Sequence, residues 1–159
     1  MERRGYVVFI GNASVGKLKL LLADVIIKVL RSPSDKDDVQ NAIEKFRKEI
    51  DTLRKLHHPN IIGFRCVSYK HPNLCMATEY CHNGTLAHVL ENVTDFPKIS
   101  FDRAVDMAFD IARGMAHIYS KQVVHGTLTP AHLLVTSALK IKISDFFLSA
   151  KPYEDVKTS

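Results

Sequence analysis

Residues able to hold a phosphate or a metal ion fall at four places in this chain. The stretch 123–147, VVHGTLTPAHLLVTSALKIKISDFF, carries His125, Thr127 and His132 near its start and Asp145 near its end. Loops closing on His125 and on Asp145, at the ends of neighbouring strands, make a ligand site. Lys28 is the lone charge in the apolar run Val25–Leu30. It is either a solvent-facing strand lysine or a cation aimed at an anionic group. Glu49 borders the apolar face of a helix, where an unpaired carboxylate is costly to bury. Lys28 is its natural counter-ion; the plain alternative is an exposed glutamate on a charged helix. Finally, Gly11-Asn-Ala-Ser-Val-Gly16-Lys17 follows an apolar run. Glycines placed after a strand let backbone N–H groups approach a phosphate.

Elements of regular period must position these groups. Tyr6–Ile10 and Val25–Leu30 are rich in β-branched and aromatic residues and predict strands. Val39, Ile43, Phe46, Ile50 and Leu53 recur at spacings of four and three, which predicts a helix over about 39–56. Phe64–Tyr69 and Leu74–Tyr80 predict two strands joined by the turn Lys70-His-Pro-Asn73. Leu86–Glu91 predicts a short helix, and a long one is expected from Ser100 to about Tyr119. The apolar face of that helix reads as Val105, Ala108, Ile111, Ala112, Met115 and Ile118, a core stripe. Leu133–Val135 is an apolar run, and Leu139, Ile141 and Ile143 alternate with Lys140, Lys142 and Ser144, a strand with one wet face.

Composition narrows the classes. The chain has 159 residues, about one domain, and 46% hydrophobic residues, enough for a core. The net charge of +5 is interleaved, as in RKEIDTLRK, and forms no basic stripe. Nucleic acid is therefore not expected as a partner. No apolar run predicts a membrane span, and the first residues lack the pattern of a secretory signal. Cys66, Cys75 and Cys81 have no metal-type pairing and read as reduced thiols of a cytoplasmic protein.

The catalytic-loop stretch resembles the H-R-D-x-x-x-x-N and D-F-G segments of eukaryotic protein kinases. Val25-Ile-Ile-Lys28 is similar to their V-A-I-K strand, and Glu49 to the glutamate that pairs with its lysine. Ala77–Leu86 resembles a hinge between lobes, most like that of tyrosine kinases, as does DMAFDIARGMAHIYSKQVVH. The resemblance implies an α+β, protein-kinase-like fold. Its small lobe, residues 1–80, would be a five-stranded antiparallel sheet with one main helix. A hinge would follow over 81–86 and a partial helical large lobe over 87–159, with no A-P-E motif. It implies a nucleotide site at Gly11, Gly16, Ile26, Lys28, Glu49, Thr78, Glu79, Cys81 and Leu134, with Thr78 as gatekeeper and Asp145 as ligand for Mg²⁺. Ile26 stands at the alanine position of V-A-I-K and would crowd an adenine. Tyr153 sits where tyrosine kinases often carry an activation-loop phosphosite. The glycine run also fits the P-loop pattern G-x-x-x-x-G-K-[ST] through Lys17, then fails at Leu18.

Several working residues differ from the pattern. Thr127 replaces the aspartate that would accept the substrate proton. His132 replaces the metal-binding asparagine, and Phe147 replaces the glycine of D-F-G. The expectation is a pseudokinase that binds ATP and Mg²⁺ or docks a protein through its partial large lobe. The alternatives are a weakly active or atypical tyrosine kinase and a scaffold that binds no nucleotide.

Overall fold

A computed structural model describes residues 2–3, 6–11, 25–30, 36–68, 74–92 and 99–146. The first body is a five-stranded antiparallel sheet in the order β1-β2-β3-β5-β4. Its strands are β1 (Glu2–Arg3), β2 (Tyr6–Gly11), β3 (Val25–Leu30), β4 (Phe64–Ser68) and β5 (Cys75–Glu79). Helix α1 (Lys36–Leu53) joins β3 to the segment before β4. The second body holds α2 (Leu86–Glu91), α3 (Phe101–Ser120), a 3₁₀ turn at Pro130–His132, and the antiparallel pair β6 (Leu133–Val135) and β7 (Ile141–Ile143). This is the α+β architecture that the sequence implies, with every predicted strand of the sheet present.

The strand pairing corrects the reading of the glycine run. Gly11 is a strand residue paired with Val25, and Tyr6 pairs with Leu30. Pairing runs without a break from Tyr6–Leu30 to Gly11–Val25. The run from Gly11 to Gly16 therefore leads from β2 to β3. The connection between β1 and β2 is instead Arg4-Gly5. Gly5-Tyr6-Val7 fits the closing G-x-V of the kinase pattern G-x-G-x-x-G-x-V. Gly16, Lys17, the turn 70–73, Phe147 and Tyr153 lie outside the described residues.

Helix α1 starts and stops about one turn earlier than its apolar spacing suggests. At its C-terminal end Lys55 N–H bonds Thr52 O and Leu56 N–H bonds Leu53 O, the tightened turn that closes many helices. Phe46, Glu49, Ile50 and Leu53 are its buried face, and Leu56 is buried beyond its end.

Helix α3 has the expected span and a different buried face. Ser100 caps it, its hydroxyl accepting from Arg103 N–H. Met107, Asp110, Gly114 and Ile118 are buried, with Ile111 and Met115 packed beside them. Val105, Ala108 and Ala112 point to solvent, together with Phe101 (82% exposed), Phe109 (64%) and Tyr119 (77%). Apolar residues surround this helix, so period alone did not single out the face that β7 covers. Gly114 sets the approach: a Cβ there would lie 2.7 Å from Ile143 Cδ1 and 2.9 Å from Asn60 O.

Leu139 belongs to a turn and not to β7. Its φ is +56°, and its N–H bonds Thr136 O. The alternation of β7 starts at Ile141, with Ile141 and Ile143 buried.

Candidate functional site

Three elements converge on one lysine. The period of β3 leaves Lys28 partly buried, and α1 presents Glu49 toward it. Lys28 Nζ donates to Glu49 Oε1 at 2.8 Å and to Asp145 Oδ1 at 2.5 Å. Glu49 is only 1% exposed, and among the described residues its Oε2 has no hydrogen-bond partner. Burial alone would lower the basicity of Lys28. The charges of Glu49 and then Asp145 outweigh that and push its pKa well above the ordinary lysine value.

Asp145 is held by backbone and neighbours. Its φ is +62°, in the left-handed region that aspartate tolerates better than most residues. Ser144 Oγ lies 3.3 Å from Asp145 Oδ2 and 3.0 Å from His132 O, and Ser144 N–H donates to the same carbonyl at 2.9 Å. The 3₁₀ turn and the segment after β7 are thereby fastened to each other.

Hydrogen bonds fix both loop histidines. His125 Nε2 lies 2.8 Å from Ser144 O, and a carbonyl only accepts, so Nε2 carries the proton. His125 Nδ1 then accepts from Thr127 N–H at 3.3 Å. The ring is buried, and burial, with the nearby His132, holds it below the ordinary histidine pKa against the pull of Ser144 O and Asp145. It packs on Phe146, centroids 5.0 Å apart, and both side chains are fully buried. His132 Nδ1 faces Thr127 O at 2.5 Å, so Nδ1 is the protonated nitrogen of the neutral ring. Thr127 is thus held through its N–H by His125 and through its C=O by His132.

The residues expected around an adenine sit on β3, β5 and the segment after β5. Ile26 pairs with Thr78, which is buried, and Lys28 with Met76. Leu134 is half-buried and bridges Thr85. Cys81 is buried. Glu79 is tied at its backbone and at its carboxylate. Its N–H is committed to Gly63 O at 2.9 Å, so a hinge contact from Glu79 has to use its carbonyl. Its carboxylate accepts from Gly63 N–H at 2.7 Å and pairs with Lys142 Nζ at 2.7 Å. Gly11 is in the strand, as described above.

Residues without an assigned role in the sequence reading complete the frame. Asn60, buried, donates from Nδ2 to Ile141 O and accepts from Ile143 N–H. Asp110, also buried, accepts from Ile141 N–H at 3.1 Å. Both hold β7, the strand that leads into Asp145. A carboxylate inside the apolar run of DMAFDIARGM was the one available signal for Asp110.

A five-stranded sheet whose lysine is held by a helix glutamate, facing an Asp-Phe after a strand pair, defines a protein kinase domain. The chain belongs to the protein tyrosine and serine/threonine kinase family, whose description matches residues 8–159. It is 32% identical over 123 residues to the serine/threonine/tyrosine-protein kinase HT1 of Arabidopsis thaliana, covering 77% of this chain and 31% of that protein. It is 31% identical over 129 residues to the serine/threonine-protein kinase CTR1 of the same plant, 80% of this chain and 15% of that one. Against the dual specificity protein kinase pyk3 of Dictyostelium discoideum it is 35% identical over 137 residues, 85% of this chain and 9% of that protein. The chain spans between 6% and 31% of the length of these and similar curated relatives. Among the described residues no helix is long and apolar enough to cross a membrane, and no three His, Cys, Asp or Glu side chains cluster as a metal site.

Proposed function

We propose that this chain is a cytoplasmic pseudokinase module of signalling, which binds ATP with Mg²⁺, contacts protein partners, and transfers phosphoryl groups poorly. The observation that carries this reading is Thr127. Its backbone is fastened on both sides in the catalytic-loop position, and its side chain is a hydroxyl that is no base near neutral pH. A positioned base contributes about 10²–10⁴-fold, and kinases turn over at about 1–100 s⁻¹. Loss of the base leaves on the order of 10⁻⁴–1 s⁻¹.

The residues fit the nucleotide in part. Lys28 would hold its phosphates, and β3, Thr78, Cys81 and Leu134 would face the adenine. Asp145 supplies the hard oxygen donor that Mg²⁺ requires. His132 offers a nitrogen where a second Mg²⁺ would need oxygen, so the donor set suits one ion. ATP supplies the phosphoryl group and Mg²⁺ neutralises its charge when both are bound. In this reading residues 1–80 and 87–159 are the two lobes with the hinge at 81–86. The apolar side chains that α3 exposes, Phe101, Val105 and Phe109, are the support for a protein contact through the second body.

A weakly active kinase is the second reading. It is favoured by the assembled Lys28, Glu49 and Asp145, and by the kinase names of the relatives. Two measurements separate the cases. Thermal melts with and without Mg²⁺–ATP test binding: ligand at 100 times Kd stabilises by about 2.7 kcal/mol. A shift in wild type that is lost in Lys28→Met supports the nucleotide site, and no shift leaves a scaffold. Transfer of labelled γ-phosphate tests activity: transfer by wild type that vanishes in Asp145→Asn would establish the weak kinase.

A further inference from the structure

His58 and His117 face each other across the seam between the two bodies. Their rings stack with centroids 5.1 Å apart and planes 27° apart. Asn60 N–H donates to His58 Nδ1 at 3.1 Å, so Nδ1 holds a lone pair and the neutral ring carries its proton on Nε2. His117 Nε2 is buried and has no hydrogen-bond partner among the described residues.

The surroundings disfavour a proton on His58. Burial comes first in lowering the pKa of His58, followed by His117, by Arg113 on α3 and by Lys142 on β7. Lys142 Nζ is itself anchored on Pro59 O at 2.9 Å. The carboxylate on that side, Glu79, already pairs with Lys142. No carboxylate is among the groups that shift His58.

The pair is wired to the site. Asn60, whose N–H needs His58 Nδ1, donates to Ile141 O at 3.0 Å and accepts from Ile143 N–H at 2.9 Å. Ile62 N–H bonds Ile143 O at 2.9 Å. Segment 58–62 is therefore the seat of β7, and β7 runs into Ser144 and Asp145.

We propose that the His58–His117 stack is an acid-operated release of the segment that seats β7 and, through it, Asp145. A proton on His58 Nδ1 turns the acceptor of Asn60 N–H into a second donor. It also sets a positive ring against His117, Arg113 and Lys142. The buried Asn60 N–H then has no acceptor, and the segment loosens. Because the folded-state pKa of His58 is depressed, the hold is complete above the ordinary histidine value of 6.5 and is lost as pH falls below it. This rests on the fold alone, so it stands or falls independently of nucleotide binding.

The test is hydrogen exchange on the full chain without nucleotide, between about pH 7.5 and about pH 5.5, the span over which imidazole titrates. Wild type is compared with His58→Asn, whose side-chain oxygen can accept the N–H two residues on and does not titrate in this range. His58→Ser, whose hydroxyl oxygen can accept the same N–H and does not titrate, serves if His58→Asn fails to fold. The expected result is faster exchange at 60–62 and 141–143 in wild type at acid pH, beyond the change in intrinsic rate, and a reduced or absent rise in the variant. Equal pH profiles for wild type and a folded variant, or no rise in wild type, overturn the proposal.

Discussion

Lys28 Nζ and Asp145 Oδ1 lie 2.5 Å apart, a contact between side chains 117 positions apart in sequence. The same ammonium holds Glu49, so one lysine neutralises a carboxylate from α1 and another from the end of β7. Breaking a buried pair by removing one partner costs about 3–5 kcal/mol. Lys28 is 18% exposed, so Lys28→Met should fall toward the lower end of that range. Adding Glu49→Leu should recover part of the loss, because the stranded carboxylate goes too. Urea denaturation of both variants measures this; a single variant as stable as wild type would count against it. The pH dependence has a definite sign. The Lys28 pKa is raised above 10.5, so its contribution is present below that value and fades as pH climbs further.

The segment between α3 and β6 carries Thr127 and His132 where the proposed reading looks for an aspartate and an asparagine. Thr127→Asp together with His132→Asn should raise phosphoryl transfer by about 10²–10⁴-fold over wild type if the base is the missing part. The assay is γ-phosphate transfer to a generic protein substrate. An unchanged rate in a folded double variant would place the defect elsewhere, such as the segment covering the phosphates.

Gly114 sits against backbone that cannot retreat. A methyl group there meets Asn60 O at 2.9 Å and Ile143 Cδ1 at 2.7 Å. Gly114→Ala gains helix propensity yet should destabilise by about 1–3 kcal/mol through overpacking. A melting temperature equal to or above that of wild type would show that α3 can shift.

Cys81 should be chemically quiet. It is 2% exposed, and burial, then Glu79, push its thiol up to about 11 despite Lys142. The thiolate is the reactive form. Iodoacetamide at about pH 8 should leave it unlabelled in the folded chain and label it in denaturant. Equal rates in both conditions would contradict its burial.

Much of this arrangement was legible in the sequence because period marks elements well. The run Val25–Leu30 could only be a strand, and its lone lysine found the glutamate at the edge of the α1 stripe. What period does not carry is partnership. Nothing local says that Gly11 pairs with Val25, so the glycine run looked like a phosphate loop and is the way into β3. Apolar residues all around α3 left its covered face undecided, and Gly114, which decides it, contributes no hydrophobicity. Asn60 and Ser144 were silent for a similar reason: their roles are hydrogen bonds to residues more than ten positions away.

The bonds around Glu79 and Asn83 have a mechanical consequence. Glu79 N–H is tied to Gly63 O, while Asn83 N–H is tied to Val135 O and Val135 N–H to Gly84 O. Ile62, next to Gly63, is tied to Ile143. Tyr80–His82 thus lies between two tied ends, and the Ile62–Gly63 peptide before β4 is tied on both sides as well. Both covalent crossings between the sheet and the second body are thus clamped to the same strand pair, one at Ile143 and the other at Val135.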